Sequence, residues 1–267
     1  MTEIIMPVII VASIGLIAGL GLAVASIIMA VPKNEKVEQV EKILPGANCG
    51  ACGYSGCSGY ALALAKGEAK VGLCSPGGEM VLKKTVEILG GSAKKVEYKS
   101  ALIKCMGSND NTEKCVNYQG LETCLAASML HGGILNCSHG CIGFGDCKEV
   151  CPYGAINICN GLAVIDPKKC KGCSKCVATC PKKIIKFVPL KNQAVVRCSN
   201  CDKGALTNKV CKTGCIGCKQ CVKICEHGAI TVKNFLAKVD SQKCVGCGKC
   251  VEVCKRGCIA MLKVDED

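Results

Sequence analysis

The sequence has no tryptophan, three phenylalanines and three histidines in 267 residues. So few rings cannot interleave with basic residues to stack bases, which excludes the usual surface for single-stranded nucleic acid. No Gly-rich nucleotide fingerprint follows a strand-like run, and no metalloprotease or triad pattern occurs, so the chain lacks the parts of a bond-making catalytic site. The histidines are His131, His139 and His227; His139 lies inside a cysteine-rich loop, where it either tunes a bound group or faces solvent. A basic segment before the first apolar run is also missing, since the chain starts Met1-Thr2-Glu3. That argues against a secretory leader, whose apolar part would also be about half as long as the run found here.

What the sequence has in excess is cysteine, 28 residues in all. Dense cysteine means disulfides in an oxidising compartment and metal or redox chemistry in a reducing one, so topology decides between them. Residues 4–32 carry no charge. As a helix they would rise about 40 Å, against a hydrocarbon core of about 30 Å, so a single transmembrane helix over 1–32 is expected. Lys33 and Lys36 follow it and place the body of the chain on the cytoplasmic side of a cell membrane by the positive-inside tendency. The thiols then sit in a reducing compartment. Gly15, Gly19 and Ala23 recur at four-residue spacing, which either smooths one helix face for a membrane partner or reflects ordinary span composition.

Directly downstream, PGANCGACGYSGCSGYA places Cys49, Cys52 and Cys57 on a glycine-rich loop, with Cys74 seventeen positions on. Glycine lets backbone N–H groups approach sulfur and take positive φ, so one [4Fe–4S] cluster is expected, with zinc as the alternative. Farther on, Cys124, Cys137, Cys141, Cys147, Cys151, Cys170, Cys173, Cys176 and Cys180 each have a counterpart 74 residues later, which indicates an internal duplication. The second copy contains CIGCKQCVKIC and CVGCGKCVEVC, both C-x2-C-x2-C-x3-C. In that run three thiolates reach one cluster and the fourth reaches its neighbour. One cluster takes Cys215, Cys218, Cys221 and Cys254, and the other Cys244, Cys247, Cys250 and Cys225. Paired C-x2-C units, rather than fourfold runs, would favour zinc.

The first copy departs at Phe144, which stands where the second has Cys218. Cys137 is the near substitute, giving a cluster of Cys137, Cys141, Cys147 and Cys180 beside one of Cys170, Cys173, Cys176 and Cys151; a three-iron cluster without Cys137 is the alternative. Five clusters are thereby assigned. Of the remaining cysteines, Cys124, Cys198 and Cys211 with Cys105 or Cys201 supply enough thiolates for a sixth. Cys258 follows Cys254 by four, as Ala155 follows Cys151, and is expected to be a small core residue, with Cys159 similar.

The formal charge of +13 counts neutral thiols. Five oxidised cubes at about −2 each bring it to roughly +3. The lysines of KKCKGCSKC, PKKIIK and KCVGCGKC lie beside clusters, where they either receive an acidic partner or are solvated. The expected class is α+β, with a short amphipathic helix over 33–44, a second over 79–89, and strand-turn-strand segments in GAINICNGLAVIDP and GAITVKNFLAKVD. The expected domains are the 1–32 span, a linker and single-cluster domain over 33–100, a connecting segment over 101–136, and dicluster ferredoxin-like modules over 137–190 and 191–267.

An apolar N-terminal run, PGANCGACGYSGCSGYA with its later Cys74, and ferredoxin-like repeats together resemble the B subunit of the Rnf electron-transport complex, in its long polyferredoxin form. The resemblance covers essentially the whole chain. It implies a membrane-bound translocase that oxidises soluble reduced ferredoxin, reduces NAD+ and exports sodium ions or protons. Flavins and the nicotinamide site would belong to other membrane and flavin-containing subunits. A stand-alone membrane polyferredoxin, or a subunit of a hydrogenase or heterodisulfide reductase, is the competing reading. Protein purified without oxygen should be brown and bleach in air; fewer than about sixteen irons per chain, four cubes' worth, would contradict the cluster assignment.

Overall fold

The structure, a computed structural model, describes residues 2–28, 35–90, 99–130 and 132–262. Lys33, Gly91, His131 and the end of the apolar run lie outside the described residues. Helix α1 (Thr2–Ile28) has 27 residues and one charge, Glu3. Its described large apolar side chains, from Ile5 to Val24, are 49–73% exposed. The side chains of α1 are described only in part, and among the described residues no helix is long and apolar enough to cross a membrane. The fold therefore supports mixed α and β ferredoxin-like units but does not by itself establish the expected span.

Three helices form the next unit: α2 (Glu35–Ile43), α3 (Cys57–Ala65) and α4 (Gly78–Leu89). Val40, Leu44, Tyr60, Ala61, Leu64 and Val81 make its small core. The amphipathic spacing of Val37, Val40 and Leu44 turns α2 onto α3, as the sequence pattern requires. Helix α3 was not expected, because CSGYALALA offers no polar face to mark a period. Tyr60 ties the unit together: its hydroxyl donates to the Lys70 carbonyl at 2.9 Å and accepts from Leu73 N–H at 3.1 Å. Those two bonds set the loop that delivers Cys74.

Two units of like build follow. The first runs β1 (Lys99–Ile103), α5 (Cys124–Ser128), α6 (Asp146–Glu149), β2 (Ile156–Cys159), β3 (Leu162–Ile165), α7 (Lys175–Thr179) and β4 (Ile185–Pro189). Strand β1 pairs antiparallel with β4, from Lys99↔Pro189 to Ile103↔Ile185, while β2 and β3 form a hairpin. The hairpin turns through Asn160 and Gly161, both at positive φ, as its two-residue turn demands. The second unit runs β5 (Gln193–Val196), α8 (Gly204–Val210), α9 (Gln220–Ile224), β6 (Ile230–Lys233), β7 (Leu236–Val239), α10 (Lys249–Glu252) and β8 (Ile259–Leu262). Its β5 pairs with β8, and β6 with β7.

Both hairpins fall where the two strand-turn-strand segments predict them. The outer strand pairs are the unexpected part. They make residues 99–105 structural members of the first unit, although that stretch precedes the expected module boundary at 137. Replacing Tyr60 with Phe should cost about 1–3 kcal/mol, the usual penalty for stranding buried partners. Thermal unfolding of anaerobic protein, followed by loss of cluster absorbance, would check this; an unchanged midpoint would show that Tyr60 is not the tie.

Candidate metal centres

Four cavities, each lined by at least four cysteines, lie within and between the two ferredoxin-like units. Cys151, Cys170, Cys173 and Cys176 line the first. Cys124, Cys141, Cys147 and Cys180 line the second. The third lies between the units and is lined by Cys105, Cys137, Cys198 and Cys211. The fourth is lined by Cys215, Cys218, Cys221 and Cys254, with Cys258 alongside. Two more sets act on one another electrostatically: Cys49, Cys52 and Cys57 on Cys74, and Cys225, Cys244 and Cys247 on Cys250. In their order through the molecule these become site 1 (Cys49 set), site 2 (Cys151 set), site 3 (Cys141 set), site 4 (Cys105 set), site 5 (Cys215 set) and site 6 (Cys244 set).

The donor chemistry suits iron–sulfur cubes. Burial first, and then neighbouring sulfurs, push Cys147 and Cys176 up to about 12 and Cys221 up to about 11. Burial likewise raises Cys74 to about 11 and Cys105 to about 12. Thiols gathered in this way lose their protons to water only when a cationic group, such as the irons of a cluster, binds and stabilises the thiolates. Among the described residues no three or more His, Cys, Asp or Glu stand close enough to hold a single metal ion. The sulfurs line cavities instead of converging on a point, as the about 2.3 Å bonds of a lone zinc would require.

Backbone N–H groups point at several sulfurs. Ala101 donates to Cys170 Sγ at 3.4 Å, and Ala194, its counterpart, to Cys244 Sγ at 3.5 Å. Such bonds stabilise the thiolate and tune the cluster it holds. Glycine makes the ligand loops fit. A Cβ on Gly143 would lie 2.3 Å from the Gly161 carbonyl oxygen, and one on Gly217 would lie 2.9 Å from Phe235 Cα, so each loop packs flat on its hairpin turn.

The cavity linings depart from one expected grouping. Cys137 does not join Cys141, Cys147 and Cys180; it lines site 4, and Cys124 lines site 3 in its place. Phe144, standing where a thiolate would, packs against Tyr118 with ring centroids 5.7 Å apart. Helix α5 brings Cys124 into the gap. Asp146 holds that helix by accepting from Cys124 N–H at 2.7 Å and Leu125 N–H at 3.1 Å, and Thr123 caps it.

Site 4 contains three of the cysteines suggested for a sixth cluster, Cys105, Cys198 and Cys211, together with Cys137. Cys201 is exposed and does not line it. The match of Cys124 to Cys198 at the 74-residue offset is thus not a structural equivalence. Cys198 corresponds to Cys105, 93 positions earlier, each after a strand and a basic residue: Ile103-Lys104-Cys105 and Val196-Arg197-Cys198. Cys141 N–H donates to Cys105 Sγ at 3.5 Å, and Cys215 N–H to Cys198 Sγ at 3.4 Å. That second, fainter spacing was the signal available in the sequence.

Neighbouring sites adjoin. Cys49 acts on Cys173, linking sites 1 and 2, and Tyr153 lies among Cys173, Cys49, Cys74 and Cys57 with its hydroxyl buried and unpartnered. Cys176 acts on Cys147, linking sites 2 and 3. The two N–H···S bonds just described link site 4 to sites 3 and 5. Sites 5 and 6 share one buried cluster. Cys258, 2% exposed, sits 3.6 Å from Cys254 Sγ and holds Cys215 down by S–H donation. Cys115 and Cys159 are exposed and line none of the described cavities.

Comparison with known proteins agrees with these positions. Residues 44–76 match a family described as a putative Fe-S cluster, 163–186 a 4Fe-4S binding domain, and 214–258 a 4Fe-4S dicluster domain. The chain is 41% identical over 244 residues, 91% of its length and 73% of the relative's, to the B subunit of the Na(+)-translocating ferredoxin:NAD(+) oxidoreductase complex of Acetobacterium woodii. It is 36% identical to the B subunit of the ion-translocating oxidoreductase complex of Methanosarcina acetivorans, over 86% of this chain and 90% of that one. It is also 39% identical to the B subunit of the proton-translocating ferredoxin:NAD(+) oxidoreductase complex of Clostridium ljungdahlii, over 90% and 85%. Thiol sets of ferredoxin type, together with 36–41% identity over most of this chain and of each relative, make this chain a member of the B-subunit family of ion-translocating oxidoreductase complexes.

Proposed function

We propose that the chain is the iron–sulfur electron-transfer subunit of an ion-translocating ferredoxin:NAD+ oxidoreductase complex, holding six [4Fe–4S] cubes in single file. The observation that carries this reading is the sorting of thiols into six sets of four, each adjoining the next. The ligands are Cys49, Cys52, Cys57 and Cys74 at site 1; Cys151, Cys170, Cys173 and Cys176 at site 2; Cys124, Cys141, Cys147 and Cys180 at site 3. Cys105, Cys137, Cys198 and Cys211 serve site 4; Cys215, Cys218, Cys221 and Cys254 site 5; Cys225, Cys244, Cys247 and Cys250 site 6. A cube so held takes up and returns one electron without bonding to any substrate. The protein's own part is to hold the cubes at fixed separations, to limit water around them and to aim N–H donors at their sulfurs.

The division into units that fits this reading is a single-cluster domain over 35–90 and two ferredoxin-like modules over 99–190 and 191–262. Helix α1 is proposed to span the cell membrane with the cysteine-rich body on the cytoplasmic side, because its exposed apolar side chains need a non-aqueous neighbour. Site 1 belongs to the domain next to that helix, and site 6 is the far end of the file. A soluble reduced ferredoxin would deliver electrons at the far end, where Cys247 is exposed between Lys243 and Lys249. Flavin-containing and membrane partner subunits would receive them near site 1.

Iron and acid-labile sulfide analysis of anaerobic protein tests the six-cube count: about twenty-four irons are expected. Replacing Cys124 with Ser should remove or convert one cluster, with the loss of about one to four irons. Adding Phe144→Cys, which completes a C-x2-C-x2-C-x3-C run, should restore it. Rescue failing while the parent protein carries its full iron would refute Cys124 as the site 3 ligand. A chain starting at residue 35 should keep its clusters and lose membrane association; membrane fractions still containing it would count against α1 as the anchor.

A further inference from the structure

Site 4 differs from its neighbours in the charge around it. Lys104 and Arg197 are the residues immediately before Cys105 and Cys198, and each is half-buried at the end of a strand. Burial lowers the Lys104 ammonium, Lys186 and Lys238 lower it further, and Cys198 acts in the opposite sense. Burial also lowers the Arg197 guanidinium, on which Cys105 is the acting charge. Arg197 Nη2 reaches the Cys105 carbonyl at 3.5 Å, and its Nε is buried without a hydrogen-bond partner. Among the described residues no carboxylate is one of the groups acting on either cation.

Asn200 adds a directed donor. Its side chain is locked, with Oδ1 accepting from Asp202 N–H at 2.7 Å and from Thr207 Oγ1 at 3.3 Å, so that Nδ2 points at Cys137 Sγ, 3.5 Å away. One carboxylate does act on the site: Asp202 raises Cys137, but it faces His139 at 3.5 Å with 41% of its side chain exposed, so water screens it in part. The flanking sites are arranged differently. Site 3 has the Asp146 carboxylate on its wall; the cation Lys182, held by the carbonyls of Gly132 and Ser138, lines site 3 but is acted on by Cys137 of site 4 as well as by Cys180, so the two sites share it. At site 5, Arg256 is committed to the Cys211 and Gly214 carbonyls and to Asn208.

Burial alone opposes adding an electron to a cluster that already carries about −2. Two half-buried cations leave the pocket close to neutral and offset that opposition, and a hydrogen bond to a ligand sulfur acts in the same direction. We infer that Lys104 and Arg197 give site 4 the highest potential of the six, so that a chain carrying one electron holds it at the junction of the two modules. One electron arrives from the site on one side and one leaves to the site on the other; no proton moves and no bond changes. The inference rests on the six-cube reading.

An EPR-monitored potentiometric titration of the full anaerobic chain tests it. On lowering the potential, the first signal to appear should be the one that Cys211→Ser removes or alters. Arg197→Gln and Lys104→Gln, made separately in case one folds poorly, should each move that signal to lower potential by about tenfold in the oxidised-to-reduced ratio, about 59 mV for one electron, at unchanged iron content. Arg197→Lys should hold it near its original place. Survival of the first signal in Cys211→Ser, or unmoved midpoints in fully loaded Gln variants, would overturn the inference alone. A parent count near twenty irons instead of about twenty-four would remove site 4 and the six-cube reading together.

Discussion

A four-iron cube must be gripped at four corners by sulfurs that arrive from different directions and carry negative charge into a partly dry pocket. That requirement shapes the rest of the chain. At sites 1, 2, 5 and 6 a loop rich in cysteine and glycine offers three corners and a cysteine farther off in the chain the fourth, so each ferredoxin-like unit is folded back on itself by its own thiols. The apolar cores are correspondingly small, and the sulfurs of Cys141, Cys147, Cys176, Cys215, Cys221 and Cys250 belong to them. Such units draw stability from bound metal that larger domains draw from buried hydrocarbon.

The two ferredoxin-like units solve the same geometric problem with different parts. In the second, Cys218 sits in the ligand run itself. In the first, that position is Phe144, whose ring joins Tyr118, Ile134, Leu135 and Ile142 in a separate apolar cluster. The stretch between Cys105 and Cys141 is 36 positions, against 17 between Cys198 and Cys215. The longer stretch forms that cluster, folds α5 against it and presents Cys124 to site 3. The longer segment thus brings a thiol to site 3 instead of merely lengthening a loop.

Between the units, the paired Lys104-Cys105 and Arg197-Cys198 segments meet across site 4, and each sulfur accepts an N–H bond from the first ligand of the adjoining run. The junction is both a mechanical joint and a connection between cluster sites. The formal +13 of the chain, set against six cubes at about −2 each, leaves roughly +1 overall. Where the cations stand therefore matters more than their number. Exposed lysines near site 6 are screened by water, whereas Lys104 and Arg197 act through a poorly screening interior.

The sequence by itself determined the chemistry and much of the grouping. Ligands within one tight run are forced together by the short chain between them, which is why the C-x2-C-x2-C-x3-C runs, the Cys49 set and both hairpins could be read directly. The family resemblance rested on the same local features. The crossed fourth ligand of the paired runs was legible too, whereas tertiary structure alone decided which cysteines line sites 3 and 4. The 93-residue spacing of Cys105 and Cys198 is fainter than the 74-residue repeat, so Cys137 looked like the nearest substitute for the position of Phe144, while strand pairing of β1 with β4 and of β5 with β8 carried Cys105 and Cys198 to a shared pocket. Cys137 lines that pocket, and Cys124 stands at site 3 because α5 and Asp146 place it there.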